Sequence, residues 1–252
     1  GWLFVGSLVT TAMPLADSLS LLSVKRAGIN YGAVRRWGSI SFIVASVLGG
    51  WYLAGRDSEA ILTLMIAGAI FLLVSSFALP DLRVAARRQR RLALFDVLRV
   101  PDFALFAVTA ALLQSSHSAL YGFATLHWRQ AGHSSGEIGL LWAEGVLAEI
   151  ALFSVSGWFI ARFGARRMLL LAALAGLIRW TVMGLTTDLS WLIGAQLLHA
   201  FTFSATHIAA FAFILRNVPE DLSASAQGVY DSLAMGLAFG LAMAAAGWLF
   251  EV

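Results

Sequence analysis

Apolar residues in this chain fall in long, continuous blocks separated by short polar connections. Eight blocks can be marked, at 1–24, 34–54, 59–79, 102–128, 138–161, 165–187, 190–215 and 226–250. A helix needs about 20 apolar residues to cross a hydrocarbon core, so each block predicts one membrane-spanning helix. Inside lipid the backbone must satisfy its own hydrogen bonds, which leaves helices or a closed barrel. Barrel strands alternate apolar and polar positions, and these blocks do not. The predicted fold class is an all-α integral membrane protein with about eight transmembrane helices. Pro80, Pro101 and Pro219 lie at block borders, where a missing N–H costs little. Pro14 lies mid-block, three residues before Asp17, and predicts a local opening of that helix.

Composition agrees with the pattern. Charged residues make up 12% of the chain and hydrophobic residues 60%, against about a quarter charged in soluble domains. A net charge of +3 with pI near 9.8 is read as basic cytoplasmic loops rather than as a nucleic-acid surface. No cysteine is present, which excludes a disulfide framework and cysteine-based metal sites. The chain starts at Gly1 inside an apolar block and stops at Val252 without a polar tail, so it is expected to be an internal segment of a longer protein.

The basic residues orient the helices. One set of alternate connections holds 14 of the 17 Lys and Arg: Lys25, Arg26, Arg35 and Arg36, then six arginines from Arg83 to Arg99, then Arg162, Arg166, Arg167 and Arg216. The opposite set holds Arg56 and Arg129, and Arg179 lies within a span. The first set is assigned to the cytoplasm. Residues 81–101 form the longest and most basic connection. They divide the chain into the end of one bundle (1–80, three spans) and most of a second (102–252, five spans), as in transporters built from repeats.

Ionisable residues at membrane depth are costly, about 2.5–3.5 kcal/mol each on insertion scales, and mark pathways. Arg179 and His199 share a depth about 12 Å from the external surface at about 1.5 Å per residue. Glu149 sits near the middle of its block, and His117 is placed in the external third of its own. The four come from different helices within one layer and are expected to converge on one cavity. Gln114, His117 and Tyr121 share a helix face, as do His199, Thr202, Phe203, Thr206 and His207, and likewise Trp142, Gly145 and Glu149. Glu144 points away from Glu149. The structural alternatives are satisfied core histidines, a Glu149–Arg179 ion pair, and an Arg35 that snorkels to the interface. No metalloprotease, hydrolase or phosphate-loop motif and no metal cluster occurs, so no enzyme activity is expected.

Two segments carry a resemblance. Gly157-Trp-Phe-Ile-Ala-Arg-Phe-Gly-Ala-Arg-Arg167 resembles the major-facilitator loop signature G-x-x-x-D-R-x-G-x-R-R, with Ala161 in place of the aspartate. Pro14-Leu-Ala-Asp17 followed by Tyr31-Gly-Ala-Val-Arg-Arg-Trp-Gly-Ser39 resembles the lactose-permease group, and more closely its phenylpropionate permease branch. The likeness runs the length of the chain and implies helices four to eleven of twelve. It implies that Asp17 and Arg35 form a carboxylate–arginine pair for substrate, with Phe42 stacking on it. It implies that Gly157, Arg162, Gly164, Arg166 and Arg167 form the conformational loop motif. Arg179 and His199 match residues of the proton and substrate machinery. The proton-carrying carboxylate of that group is Thr202 here, its essential glutamate is Val146, and Glu149 is the nearest acidic substitute.

The expectation is a secondary active transporter working by alternating access. Proton symport of a small solute such as an aromatic carboxylate is expected, with Glu149, His199 and Arg179 coupling protons. Asp17, Arg35, Phe42, Gln114, His117, Tyr121, Phe203 and His207 are the expected substrate residues. A sugar or nucleoside symporter, a proton-antiport exporter, a membrane enzyme and a transport-dead sensor remain alternatives. Expected partners are a small-molecule substrate, protons and the lipid bilayer of a bacterial inner membrane, with no nucleic acid. No cofactor beyond the proton gradient and no metal is expected, and the protein is taken as a monomer.

Overall fold

The computed structural model describes residues 2–53, 56, 57, 59–79 and 93–251. Among these residues no strand occurs, and every predicted apolar block is helical. Helices α1 (Trp2–Ala27), α2 (Tyr31–Leu53) and α3 (Glu59–Ser76) precede the basic connection. Most of that connection, 80–92, lies outside the described residues; its far end forms the short helix α4 (Ala93–Leu98).

The second part is more broken than the apolar pattern predicts. The block 102–128 becomes two helices, α5 (Phe103–Ser115) and α6 (Ser118–Gln130), which meet at His117. Helix α7 (Ser135–Ser154) is followed by α8 (Ser156–Leu185), which contains a break at Gly164. There φ is 69° and ψ 169°, a region open to glycine and closed to residues with a Cβ. The loop motif thus turns the chain from one span into the next at Gly164. Next come α9 (Leu189–Leu197), a π-helical segment (Ala200–Ala205) and α10 (Thr206–Asn217). The last span is a 3-10 turn (Glu220–Leu222), α11 (Ser223–Asp231), a second π segment (Ser232–Ala238) and α12 (Phe239–Glu251). Helix α1 runs on through Pro14 without the predicted opening.

Five of the described stretches are long and apolar enough to cross a membrane: Glu59–Ser76, Phe103–Gln130, Ser156–Leu185, Leu189–Asn217 and Glu220–Phe250. Helix α7 falls outside that set because it carries Glu137, Glu144 and Glu149. Helix α3 has no buried residue, as suits a helix that presents its side chains to lipid.

Helices from the two sides of the basic connection pack together. α1 lies against α10 and α11, and α2 against α7 and α8. One apolar core joins Leu21 and Tyr31 to Phe103, Phe106, Phe211 and Ile214. A second is rich in small residues, Ala172, Ala200, Ala205 and Ala209, which let helices approach closely. The tightest contact is at Gly32, where any Cβ would strike the Phe153 carbonyl oxygen and the Ser156 hydroxyl. Asn30 lies against Gly157 in the same place. This seals the arginine-rich end of the contact between α2 and the α7–α8 junction.

Candidate functional site

A cavity of about 600 Å³ opens between α2 and helices α6 to α9. Arg35, Ser39, Ser41 and Phe42 come from α2, Tyr121 from α6, and Trp142, Gly145, Val146 and Glu149 from α7. Arg179, Gln196, His199 and Phe203 complete the wall. Its rings pack on one another: Tyr121 stacks on Trp142 with centroids 5.8 Å apart, and His199 on Phe203 at 5.3 Å.

Arg179 organises the polar side of this wall. Its guanidinium is fully buried. One terminal nitrogen lies 3.0 Å from His199 Nδ1 and donates to Thr202 Oγ1 at 2.9 Å. The other donates to Gln196 Oε1 at 2.5 Å, and Gln196 in turn donates to the Leu141 carbonyl. Arginine has only donors, so His199 Nδ1 must accept and the ring proton sits on Nε2. That nitrogen faces Glu149 Oε2 at 3.5 Å. The second oxygen of Glu149 accepts from the Ser39 hydroxyl at 2.5 Å. A directed chain therefore runs from Arg179 through His199 to Glu149, and ends on a hydroxyl of α2.

The same reasoning fixes His117. Its Nδ1 lies 3.1 Å from the Gln114 carbonyl, which can only accept, so Nε2 accepts from Thr202 Oγ1 at 3.0 Å. His117 is fully buried at the break between α5 and α6. It lies mid-span, not in the external third.

The sequence-predicted residues thus divide. Arg35, Phe42, Tyr121, Glu149, Arg179, His199 and Phe203 meet at one cavity. Gln114 and His117 stand behind its wall and brace Thr202 and the helix break rather than lining the space. Glu149 and Arg179 do not pair directly; His199 stands between them. Arg35 lies one turn into α2, faces the cavity, and sits over the Phe153 ring at 5.3 Å. Asp17 is buried elsewhere, 3.9 Å from His207 Nε2 and 3.4 Å from the Tyr31 hydroxyl, and makes no ion pair with Arg35 within 4.0 Å. Arg162, Arg166 and Arg167 are exposed around the Gly164 break.

Three polar residues escaped the sequence reading. Ser39 and Gln196 are legible in retrospect, one helical turn from Arg35 and His199 respectively. Asp231, on α11, is a carboxylate within the last span.

An all-helical membrane bundle closing on an aromatic cavity, with a buried ion chain in its wall, has the build of a solute transporter. Comparison with known sequences agrees: the chain belongs to the MFS_1 like family, which matches residues 2–252. It is 36% identical over 95% of its length to a "Probable 3-phenylpropionic acid transporter" of Escherichia coli (strain K12), of which it covers 64%. It is 27% identical over 98% of its length to a "Maltose permease" of Geobacillus stearothermophilus, of which it covers 63%. A "Xanthosine permease" of Escherichia coli (strain K12) is 25% identical over 88% of the chain, which covers 59% of it. The chain therefore spans less than two thirds of the length of these relatives. No solved structure matches. The relatives are transporters and permeases by name, not enzymes.

Proposed function

We propose that the parent protein is a proton symporter for a small aromatic carboxylate, working by alternating access in a bacterial inner membrane as a monomer. The observation that carries this reading is the pairing, in one cavity, of stacked aromatic side chains with Arg35. No carboxylate lies within 4.0 Å of Arg35 among the described residues, and its Nε has no hydrogen-bond partner. A buried donor without a partner is costly, and a substrate carboxylate would satisfy it. Phe42, Tyr121, Trp142 and Phe203 offer faces and edges to an aromatic ring. Arg179 Nε is likewise without a partner, but both terminal nitrogens of Arg179 are committed inside the bundle, which supports a role in poising the proton site rather than in holding substrate.

Proton coupling rests on the Glu149–His199–Arg179 chain. A second proton on His199 would set N–H against N–H at Arg179, so the added proton goes to Glu149. Three spans before residues 81–101 and five after them would form the two moving halves. The likeness to a probable 3-phenylpropionic acid transporter supports an aromatic acid, and the arginine-rich connections support the cytoplasmic assignment.

A neutral sugar or nucleoside is the second reading, favoured by the maltose and xanthosine permeases among the relatives. Binding separates the substrates. In the purified full-length protein, 3-phenylpropionate is expected to quench tryptophan fluorescence through Trp142, with maltose and xanthosine inert at equal concentration. Quenching by maltose or xanthosine alone would replace the aromatic acid with a neutral solute.

A further inference from the structure

Glycine weakens a helix interior relative to alanine, so a glycine inside a span calls for a reason in its surroundings. Three glycines of α2 can be compared. A Cβ at Gly32 would strike the Phe153 carbonyl oxygen and the Ser156 hydroxyl, so that glycine serves the approach of other helices. A Cβ at Gly49 would meet only Leu64 Cδ1, at 3.8 Å, an ordinary contact. Gly38 differs from both. A Cβ there would lie 2.7 Å from Arg35 Nη1 and 3.7 Å from Arg35 Cζ, and among the described residues no atom of another helix comes within 4 Å of it. The space that Gly38 leaves open is therefore taken by a guanidinium from its own helix, one turn earlier.

Arg35 also meets a second surface. Its Cζ lies 5.3 Å from the centroid of the Phe153 ring, within cation–π range. Phe153 is fully buried on α7, in the core that holds Met168, Ala172, Ala205 and Ile208, and stands edge-on to His207 at 6.2 Å. A ring packed in this way has little room to yield. The guanidinium is the far end of a flexible side chain, so it would give way to a Cβ at position 38 before either helix did. With Nη1 laid against Gly38, the donors left for an anion are Nη2 and Nε, which project side by side as a fork. Nε has no hydrogen-bond partner. Arg35 and Gly38 both line the cavity, with Ser39 and Phe42 along the same wall.

A guanidinium meets a carboxylate best through two parallel hydrogen bonds, which fix orientation as well as distance. A fork that is tilted or pushed aside offers one good donor in place of two, and the loss falls on charged ligands.

We infer that Gly38 is a positioning residue of the substrate site: by lacking a Cβ it lets the Arg35 guanidinium lie against α2 and over the Phe153 ring, with its fork left for the substrate carboxylate. This inference rests on the proposed role of Arg35 in binding an aromatic carboxylate. Gly38 acts on the substrate's charge only through Arg35, and so sets the preference for an acid over its neutral amide.

Equilibrium dialysis of the full-length protein with 3-phenylpropionate and with 3-phenylpropionamide tests it. In Gly38→Ala the Kd for the acid is expected to rise at least 3-fold, and the Kd for the amide to stay within 2-fold. Added to Arg35→Gln, Gly38→Ala is expected to change the Kd for the acid less than 2-fold, because the group it acts through is gone. Alanine is the better helix former, so the thermal midpoint in detergent is expected to hold or rise. Gly38→Ser, which puts a Cβ at the same place, is expected to repeat the pattern. A rise of less than 3-fold for the acid overturns the inference. So do equal losses for acid and amide, or losses that multiply in the double variant, either of which makes Gly38 a packing residue. Unchanged binding of the acid in Arg35→Gln defeats the role of Arg35 itself, and this inference with it. Weakening there but not in Gly38→Ala defeats this inference alone.

Discussion

Glu149 Oε2 stands 3.5 Å from His199 Nε2, and that contact joins the charged interior of the helix bundle to its cavity. Arg179 on the far side of the imidazole fixes which nitrogen carries the ring proton. Ser39 on the far side of the carboxylate ties the chain to α2. A proton arriving at Glu149 removes the charge that His199 and Ser39 now serve. In the proposed mechanism the contact between α2 and α7 responds to protonation at this one carboxyl group.

Substitution of that group should uncouple binding from proton movement. Glu149→Gln keeps the shape and one acceptor but cannot ionise. Unbuffered full-length protein in detergent is expected to take up protons when it binds 3-phenylpropionate, and the variant to take up fewer than half as many. A pH-indicator dye reads the difference.

In the proposed function Arg35 makes the substrate's charge matter. A charge-assisted hydrogen bond to a carboxylate is worth about 1.5–3 kcal/mol, so Arg35→Gln should raise the Kd for 3-phenylpropionate about 10- to 150-fold. The amide analogue of the substrate, which has no charge to lose, should bind the two proteins within a factor of about three. Equilibrium dialysis with both compounds checks this.

Arg179 is a structural keystone as well as an electrostatic one. Arg179→Ala strips donors from His199, Thr202 and Gln196, all buried. Leaving such groups unpaired costs about 1–3 kcal/mol each. A marked fall in the thermal midpoint in detergent is expected, larger than for Arg35→Gln, and differential scanning fluorimetry compares them.

Gly32 permits the close contact of α2 with the α7–α8 junction. Gly32→Val places atoms where the Phe153 carbonyl and Ser156 already are. The packed arrangement should become disfavoured, and a cysteine introduced at Asn30 should react with a water-soluble maleimide at least 5-fold faster than in the Gly32 background.

One pH effect lies outside the spans. Ser134 caps α7 and, with Glu137, forms a reciprocal capping box. Hydrogen bonds from the Ser134 side chain and backbone hold the Glu137 carboxyl below its usual value of 4.5. A depressed carboxyl stabilises the helix start above the usual value, and the contribution is lost as pH falls through the depressed one. Amide protection at 137 and 138, taken relative to the intrinsic exchange rate at each pH, should therefore fall on acidification. In Ser134→Ala the protection of 137 should be low already at neutral pH.

Much of this was legible in the sequence, and the remainder was hidden for identifiable reasons. The eight apolar blocks predict the helices because lipid leaves the backbone no alternative. Arg179, His199 and Glu149 stand out because a charge inside an apolar block has to have a partner. Asp231 obeys the same rule yet looks peripheral, because its apolar block begins at 226 while its helical stretch begins at Glu220. That difference moves it from the edge of a span to well inside. Arg35 is displaced in the same way by the start of α2 at Tyr31. The breaks at His117 and after His199 carry no proline or glycine signal, and the one after Asp231 contains only Gly236. They come from packing between helices, which one helix's sequence does not record. The Asp17–Arg35 pair implied by resemblance was likewise beyond reach, since His207 and Tyr31 approach Asp17 from other helices.

Central to the proposed function is that the cavity carries an aromatic carboxylate and a proton together. Uptake of labelled 3-phenylpropionate into proteoliposomes of the full-length protein, with and without an inward proton gradient, addresses it most directly. Accumulation above the external concentration is expected only with the gradient, abolished by a protonophore and weakened at least 10-fold in Glu149→Gln. Gradient-independent equilibration, or gradient-driven accumulation of maltose or xanthosine with 3-phenylpropionate excluded, would contradict it.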